Sequence, residues 1–481
     1  MTTDLNFRMH VNSEIGTLRK LLVHSPDSGL GQVVPSKAQD WLFEDIVHLN
    51  TLRKDEYDYY IKLLLYFLDP DRIKGRLSII DSVEQNRSFF KPDHPNFHNS
   101  DKVIEVQTLL ADILQDKTIR SNLIAAVCAL EGCNYNLQLQ LNEKKSKRLA
   151  KIILSGSFDD EHMIFAPIPN LIFTRDLGIV INNYMLLNNP AKKARGRENL
   201  IMRYIFFNHP LFEEYKRNIL EIPDPIQHFL RPGEDEEQRA TLEGGDVMVV
   251  SKDHVLIGCS ERTSPHGANA AIKLLFANKV VNKVTIVKIP SKRDFMHIDT
   301  VFTQVKRNVW VILGSVAGKQ PINEAEPLHH IAPDNHRSIT EIIQFKINTP
   351  SHPIYFDSIE ELLDDISRND LNCKEPTQFI YSGNNIFPYD AREQWTDSCN
   401  VLAIKEGVIL GYDRNDKTIL SFQEKGFQVI KIKTLIKALE TDQIKVEDIS
   451  NTLVIMPSAE LSRARGGFHC MSLPLLRDNI Q

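Results

Sequence analysis

The feature that most constrains this chain is a repeated strand pair. DVMVVSKDHVLIGCSER, residues 246–262, and NVLAIKEGVILGYDR, residues 400–414, each open on Asp or Asn followed by Val, turn at SKD or KEG, and reach Gly and then Arg at nearly the same offset. Apolar, β-branched runs bounded by such turns read as hairpins. LIFTRDLGIVINNYMLL (171–187) and DTVFTQVKRNVWVILG (299–314) are looser copies, and SEIGTLRKLLVHSP (13–26) reads as another. Amphipathic stretches such as GANAAIKLLFANK (267–279) and SIEELLDDISRND (358–370) lie between them and carry helical periodicity. An α/β chain of repeated strand-strand-helix-strand units is therefore expected. Weak self-similarity at long intervals leaves two arrangements open, units set around an axis or one ordinary mixed sheet.

Two segments break the pattern. Residues 106–158 keep helical spacing with few turn signals and are expected to form a small helical subdomain. The Pro-, Asn- and Asp-rich stretch at about 67–101 reads as a surface insertion, with His94 and His98 as solvated loop histidines. The expected division is a first repeat over 1–105, the helical subdomain over 106–158, and the remaining repeats with the catalytic site over 159–481.

With 481 residues, 42% apolar and 25% charged, the chain is an ordinary globular one, long enough for a large core. A formal charge of -6 and the lack of a Lys/Arg block argue against nucleic acid. MTTDLNFRMHVNSEIG lacks the apolar core of a secretory signal and no run is long enough to span a bilayer, so a cytoplasmic protein without membrane contact is expected. The six cysteines, Cys128, Cys133, Cys259, Cys373, Cys399 and Cys470, have no C-x-x-C spacing and read as free thiols.

One of them has unusual company. In RARGGFHCMSLP, Cys470 follows Arg465, Gly466, Gly467 and His469. The glycines are expected to adopt backbone angles closed to other residues and to admit a ligand to the main chain, while the cationic neighbours favour a thiolate. Three further stretches concentrate polar groups: PNLIFTRD with Asn170, Arg175 and Asp176, TLEGGDV with Glu243 and Asp246, and FMHIDTVFT with His297 and Asp299. Singly, each reads as well as a turn with a surface ion pair or a tight hairpin. Together they supply what attack on a positively charged planar carbon needs. Asp176 and Asp299 suit bidentate binding of a guanidinium, Cys470 suits a nucleophile, and His297, oriented by Glu243, suits an acid-base. On a strand, His297 and Asp299 would share a face.

With these residues in place, the chain resembles arginine deiminases, within the guanidino-group-modifying (pentein) superfamily. The resemblance runs from VNSEIGTLRKLLVHSP and LFEDI through PNLIFTRD, ARGRE, LEGGD, ERT, MHIDTVFT, REQWTDSCNVLAI and YDRN to RARGGFHCMSLP. It implies a five-bladed pseudosymmetric α/β propeller with an inserted helical bundle. It also implies hydrolysis of L-arginine to L-citrulline and ammonia through a covalent amidino-cysteine, with no cofactor or metal, in a cytoplasmic homo-oligomer (dimer or tetramer). By the same resemblance Cys470 is the nucleophile, His297 the acid-base, Glu243 its partner, and Asp176 and Asp299 the guanidinium carboxylates. Asn170, Arg195 and Arg262 would bind the amino-acid end of the substrate, and Arg465 would be a mobile arginine beside the nucleophile. Retention of Arg195 and Arg262 favours arginine over agmatine. The segment 67–101 and the region at about 315–385 have no clear counterpart. Amidino transfer, in which an amine replaces water, is the alternative enzyme class, and a non-catalytic arginine-binding relative is the other alternative.

Overall fold

The computed structural model describes residues 7–38, 40–43, 45–82, 87–159, 162–223, 239–318 and 341–480. In chain order its strands are β1 (Leu18–Val23), β2 (Val103–Glu105), β3 (Gly178–Ile181), β4 (Tyr184–Leu187), β5 (Ile219–Glu221), β6 (Val247–Ser251), β7 (His254–Cys259), β8 (Lys283–Lys288) and β9 (Phe302–Lys306). They continue with β10 (Val309–Ile312), β11 (Glu341–Lys346), β12 (Ile354–Phe356), β13 (Gln378–Tyr381), β14 (Leu402–Lys405), β15 (Val408–Tyr412), β16 (Gln428–Lys431), β17 (Thr452–Met456) and β18 (Leu473–Arg477).

Among the described residues these strands make five separate sheets of one plan. An antiparallel pair is extended by a third strand parallel to its second member: β3 and β4 with β5, β6 and β7 with β8, and β9 and β10 with β13. The last two are β14 and β15 with β17, and β18 and β1 with β2. A parallel partner needs a crossover. Between β7 and β8 this is the helix Pro265–Ala277, which starts with proline in its first turn and with Ser264 accepting the Gly267 N–H, both ordinary helix-start chemistry.

The copy read at 13–26 departs from the expected hairpin. Only β1 forms there, and its antiparallel partner is β18 at the far end of the chain, with Leu22 opposite Leu473. Pro26 cannot donate to a ladder, and Asp27 turns the chain into a 3-10 segment by accepting from the Leu30 N–H.

Between β2 and β3 the chain forms four helices, Val106–Ile113, Lys117–Glu131, Tyr135–Asn142 and Ser146–Ser155. Asp116 and Asn134 cap two of them at the start, and left-handed Gly132 and Gly156 end two, as helix-end geometry favours. Their buried side chains, Leu110, Leu123, Val127 and Ile152 among them, share a core with Val180 and Met185 of β3 and β4. The stretch 67–101, apart from 83–86, which lie outside the described residues, places Ile73, Ile80, Phe89 and Phe90 in a core cluster. His98 is buried there rather than solvated, with its ring 4.0 Å from Phe97, and burial holds it neutral with a pKa near 3. In the 315–385 region, residues 319–340 lie outside the described residues.

Candidate active site

Each antiparallel pair is led by a polar or nucleophilic side chain one to three residues before a strand. Asp176 precedes β3, Asp246 precedes β6, Asp299 precedes β9, Asn400 precedes β14 and Cys470 precedes β18. The first three sit in 3-10 turns, Thr174–Leu177, Gly244–Asp246 and Ile298–Thr300. His297 and Asp299 are therefore not on a strand as expected. The chain turns at Ile298, whose N–H donates to Asp246 Oδ1 at 3.0 Å, and the strand begins only at Phe302.

Close approach explains the glycines. A Cβ on Gly245 would lie 2.5 Å from His297 Nδ1, one on Gly466 2.2 Å from the Phe173 ring, and one on Gly467 2.3 Å from the Asn400 carbonyl oxygen. The positive φ of the loop before Cys470 belongs instead to Arg465, at 61°. The sequence expectation of special angles at Gly466 and Gly467 is thus corrected: these residues make room for protein side chains. Phe468 anchors the loop against Tyr60 and Tyr412, with centroids 5.3 and 5.0 Å away, and burying such a ring is worth about 1.5–3 kcal/mol.

A small cavity of ≈ 30 Å³ is lined by Asn170, Asp176, Arg195, Glu243, Arg262, His297, Arg465 and Cys470, together with Leu42 and Asp397. It has room for a water or two. All nine site residues expected from the sequence except Asp299 line it, and Asp299 touches Cys470 from behind. The Cys470 thiol donates to Asp299 Oδ2 at 3.5 Å and accepts from Asn400 Nδ2 at 3.2 Å. Burial, with Asp299, Asp176 and Asp397 nearby, pushes the Cys470 thiol well above its ordinary range.

His297 Nε2 lies 3.0 Å from Glu243 Oε2 and Nδ1 lies 3.8 Å from Asp176 Oδ1. Burial opposes the charged ring, but Asp176, the Glu243 hydrogen bond and Asp246 outweigh it and raise the pKa to about 10. His297 is thus an imidazolium at neutral pH. Although burial disfavours its charge, Glu243 is held well below the usual carboxylate range by His297 and Arg195. Asp299 accepts from His469 Nδ1 at 2.9 Å, and His469 Nε2 lies 3.2 Å from Glu14. These contacts, against the penalty of burial, keep Asp299 below its ordinary value.

Arg195 is held on the carboxylates. Its Nη1 is 2.7 Å from Asp176 Oδ2 and 3.3 Å from Glu243 Oε2, and its Nε is 2.8 Å from Glu198. Ligand atoms of Asp176, Glu243 and His297 lie within 4.8 Å of one another, as a metal site would require, and this guanidinium meets the negative charge of two of them. Arg465 stacks 3.5 Å above the Trp395 ring. Asp176 Oδ1 and Asp299 Oδ1 are buried acceptors, and Arg262 Nε and Arg465 Nη1 buried donors, with no hydrogen-bond partner among the described residues. Unsatisfied buried groups of this kind are rare unless something else is to meet them.

Sequence reasoning did not place Asn400, Glu198 or Glu14 in the site. For Asn400 a signal was present, since NVLAI occupies the position of DVMVV in the repeat. Glu198 and Glu14 act from behind other side chains and leave no such mark.

A family model described as arginine deiminase matches residues 100–435. Arginine deiminases of Borrelia garinii subsp. bavariensis and Borreliella afzelii are 30% and 31% identical to the chain, with 98% of each chain covered. The chain belongs to the arginine deiminase family. Among solved structures, an amidinotransferase of saxitoxin biosynthesis from Microseira wollei covers 98% of both chains at 11% identity, with a TM-score of 0.44. No helix among the described residues is long and apolar enough to cross a membrane.

Proposed function

We propose that the chain is an arginine deiminase that hydrolyses L-arginine to L-citrulline and ammonia, with Cys470 as nucleophile. The observation that carries the mechanism is the contact of a buried thiol with Asp299, facing an imidazolium held by Glu243. Asp176 Oδ1 and Asp299 Oδ1, acceptors without donors, suit the N–H groups of a guanidinium. As the cation arrives, the thiol proton departs to solvent and the sulfur lone pair forms the S–C bond. His297, already protonated, gives its proton to one nitrogen, which leaves as ammonia with the C–N bonding pair. The resulting neutral imidazole takes a proton from water, the hydroxide adds to the amidino carbon, and collapse expels the Cys470 thiolate with the S–C bonding pair, the hydroxyl proton passing to the sulfur as citrulline leaves.

The small cavity demands that side chains move to admit an amino acid. Arg195, now on Asp176, is suited to turn toward the substrate carboxylate with Arg262 and Asn170, which frees Asp176 for the guanidinium. We further propose that the five sheets stand around a pseudo-fivefold axis as a pentein propeller. The gathering of their leading side chains about one centre supports that arrangement: Asp176 and Cys470 line the cavity, Asn400 and Asp299 hydrogen-bond to Cys470, and Asp246 accepts the N–H of Ile298 beside His297. Incubation with L-arginine alone tests the reaction: citrulline and ammonia are expected in equal amounts, and none from agmatine. Product that forms only when a second amine is added would establish amidino transfer instead.

A further inference from the structure

Asn400 is buried, 1% exposed, and touches Cys470 twice, at its backbone N–H and at its sulfur. Its Oδ1 accepts the backbone N–H of Cys470 at 3.1 Å, while its Nδ2 donates to the backbone carbonyl of Asp299 at 3.3 Å and to Cys470 Sγ at 3.2 Å. The two ends of a carboxamide have nearly the same shape, so their assignment rests on their partners. Here the partners decide it. A backbone N–H can only donate and a backbone carbonyl can only accept, which fixes the amide orientation without reference to the sulfur. The NH2 group is therefore what Sγ meets. Gly467 packs against this side chain so closely that a Cβ there would lie 2.7 Å from Asn400 Oδ1, which pins the carboxamide in place.

We infer that Asn400 is a further catalytic residue of this site, donating an N–H hydrogen bond that stabilises the Cys470 sulfur as a thiolate and aims it at the substrate carbon. The inference rests on the reading of Cys470 as nucleophile. Carboxylates crowd the sulfur and disfavour its ionisation, and the Asn400 hydrogen bond acts against them. A neutral amide does this without adding a positive charge that would repel a guanidinium. The repeat places Asp at the corresponding positions 176, 246 and 299. A carboxylate at 400 would instead repel the thiolate. The amide keeps its protons throughout: the thiol proton goes to solvent, the sulfur lone pair becomes the S–C bond, and the N–H remains a donor to sulfur.

The test is the pH dependence of Cys470 alkylation by iodoacetamide, mapped to that residue by peptide mass spectrometry, together with steady-state kinetics. Asn400→Asp retains an acceptor for the Cys470 N–H but replaces the donor with an acceptor. Asn400→Ala removes both ends, and thermal melting shows which variants fold. Both are expected to shift the alkylation profile to higher pH and to lower kcat about 100-fold or more, as for loss of a single donor to a developing anion, with KM changed by less than about threefold. An unchanged alkylation profile, or a kcat within about threefold of wild type in a folded variant, overturns the inference. Failure of the underlying reading is separable, because Cys470→Ala would then still form citrulline, whatever the alkylation profiles of the Asn400 variants.

Discussion

At Cys470 the surroundings oppose the charge that nucleophilic attack requires. Burial and the nearby carboxylates favour the thiol, and those same carboxylates suit a cationic substrate, so the sulfur is expected to ionise when a guanidinium supplies positive charge. This protects a reactive thiolate from forming in the absence of substrate. Cys470→Ala is expected to abolish citrulline formation while arginine still binds in isothermal calorimetry, because Asp176, Asp299, Arg195 and Arg262 are untouched. His297→Ala should slow both proton transfers, and the hydrolytic step more, since its nucleophile is neutral water and a general base contributes about 100-fold to 10,000-fold. Intact-mass spectrometry after acid quench is then expected to show arginine minus ammonia attached to Cys470. An adduct on any other cysteine would contradict the assignment.

Turns rather than strands carry the chemistry. A strand alternates its side chains between two faces, whereas a 3-10 turn ahead of a strand lets near neighbours serve one centre, as His297 does in lining the cavity and Asp299 in touching Cys470 from behind it. Buried ionic contacts fix such turns and strand ends in place. At the end of β1, His24 lies 2.8 Å from Glu105 of β2 and 3.8 Å from Asp27. Burial disfavours its charge, but the hydrogen bonds to Asp27 and Glu105 prevail and raise its pKa to about 9. The folded-state value lies above the unfolded one of about 6.5. The stabilisation is therefore complete below about pH 6.5 and is lost as pH rises through about 9. Thermal melts of wild type and His24→Gln should differ most at pH 6, by about 1–3 kcal/mol, and converge by about pH 10.

The two chain ends complete one sheet between them, through β18 against β1. Arg477 of β18 is buried and donates to the carbonyls of Gly16 and Ala403 at 2.7 and 2.8 Å, which joins the first and last segments to the sheet of β14. Arg477→Ala leaves both carbonyls without this donor and is expected to destabilise the protein by about 2–4 kcal/mol in urea unfolding. Ending the chain after Ser472 retains Cys470 but removes β18, and should yield no folded, active protein by circular dichroism and citrulline assay. The hairpins at 171–187, 246–262, 299–314 and 400–414 were legible in the sequence because strand periodicity and turn chemistry are local. The chemistry of a guanidinium singled out Asp176, Glu243, His297 and Cys470, and the family resemblance added Asn170, Arg195, Arg262 and Arg465, all of which line the cavity. Local pattern could not show that β1 pairs with β18, which depends on contacts more than 450 positions apart. Nor could it show that His98 is buried, that Arg195 rests on Asp176, or that Gly466 and Gly467 yield space to Phe173 and Asn400. Periodicity, turn chemistry and motif order are written along the chain, whereas burial, side-chain pairing and the charge state of a buried group depend on which distant segments pack together, and only the tertiary structure decides that.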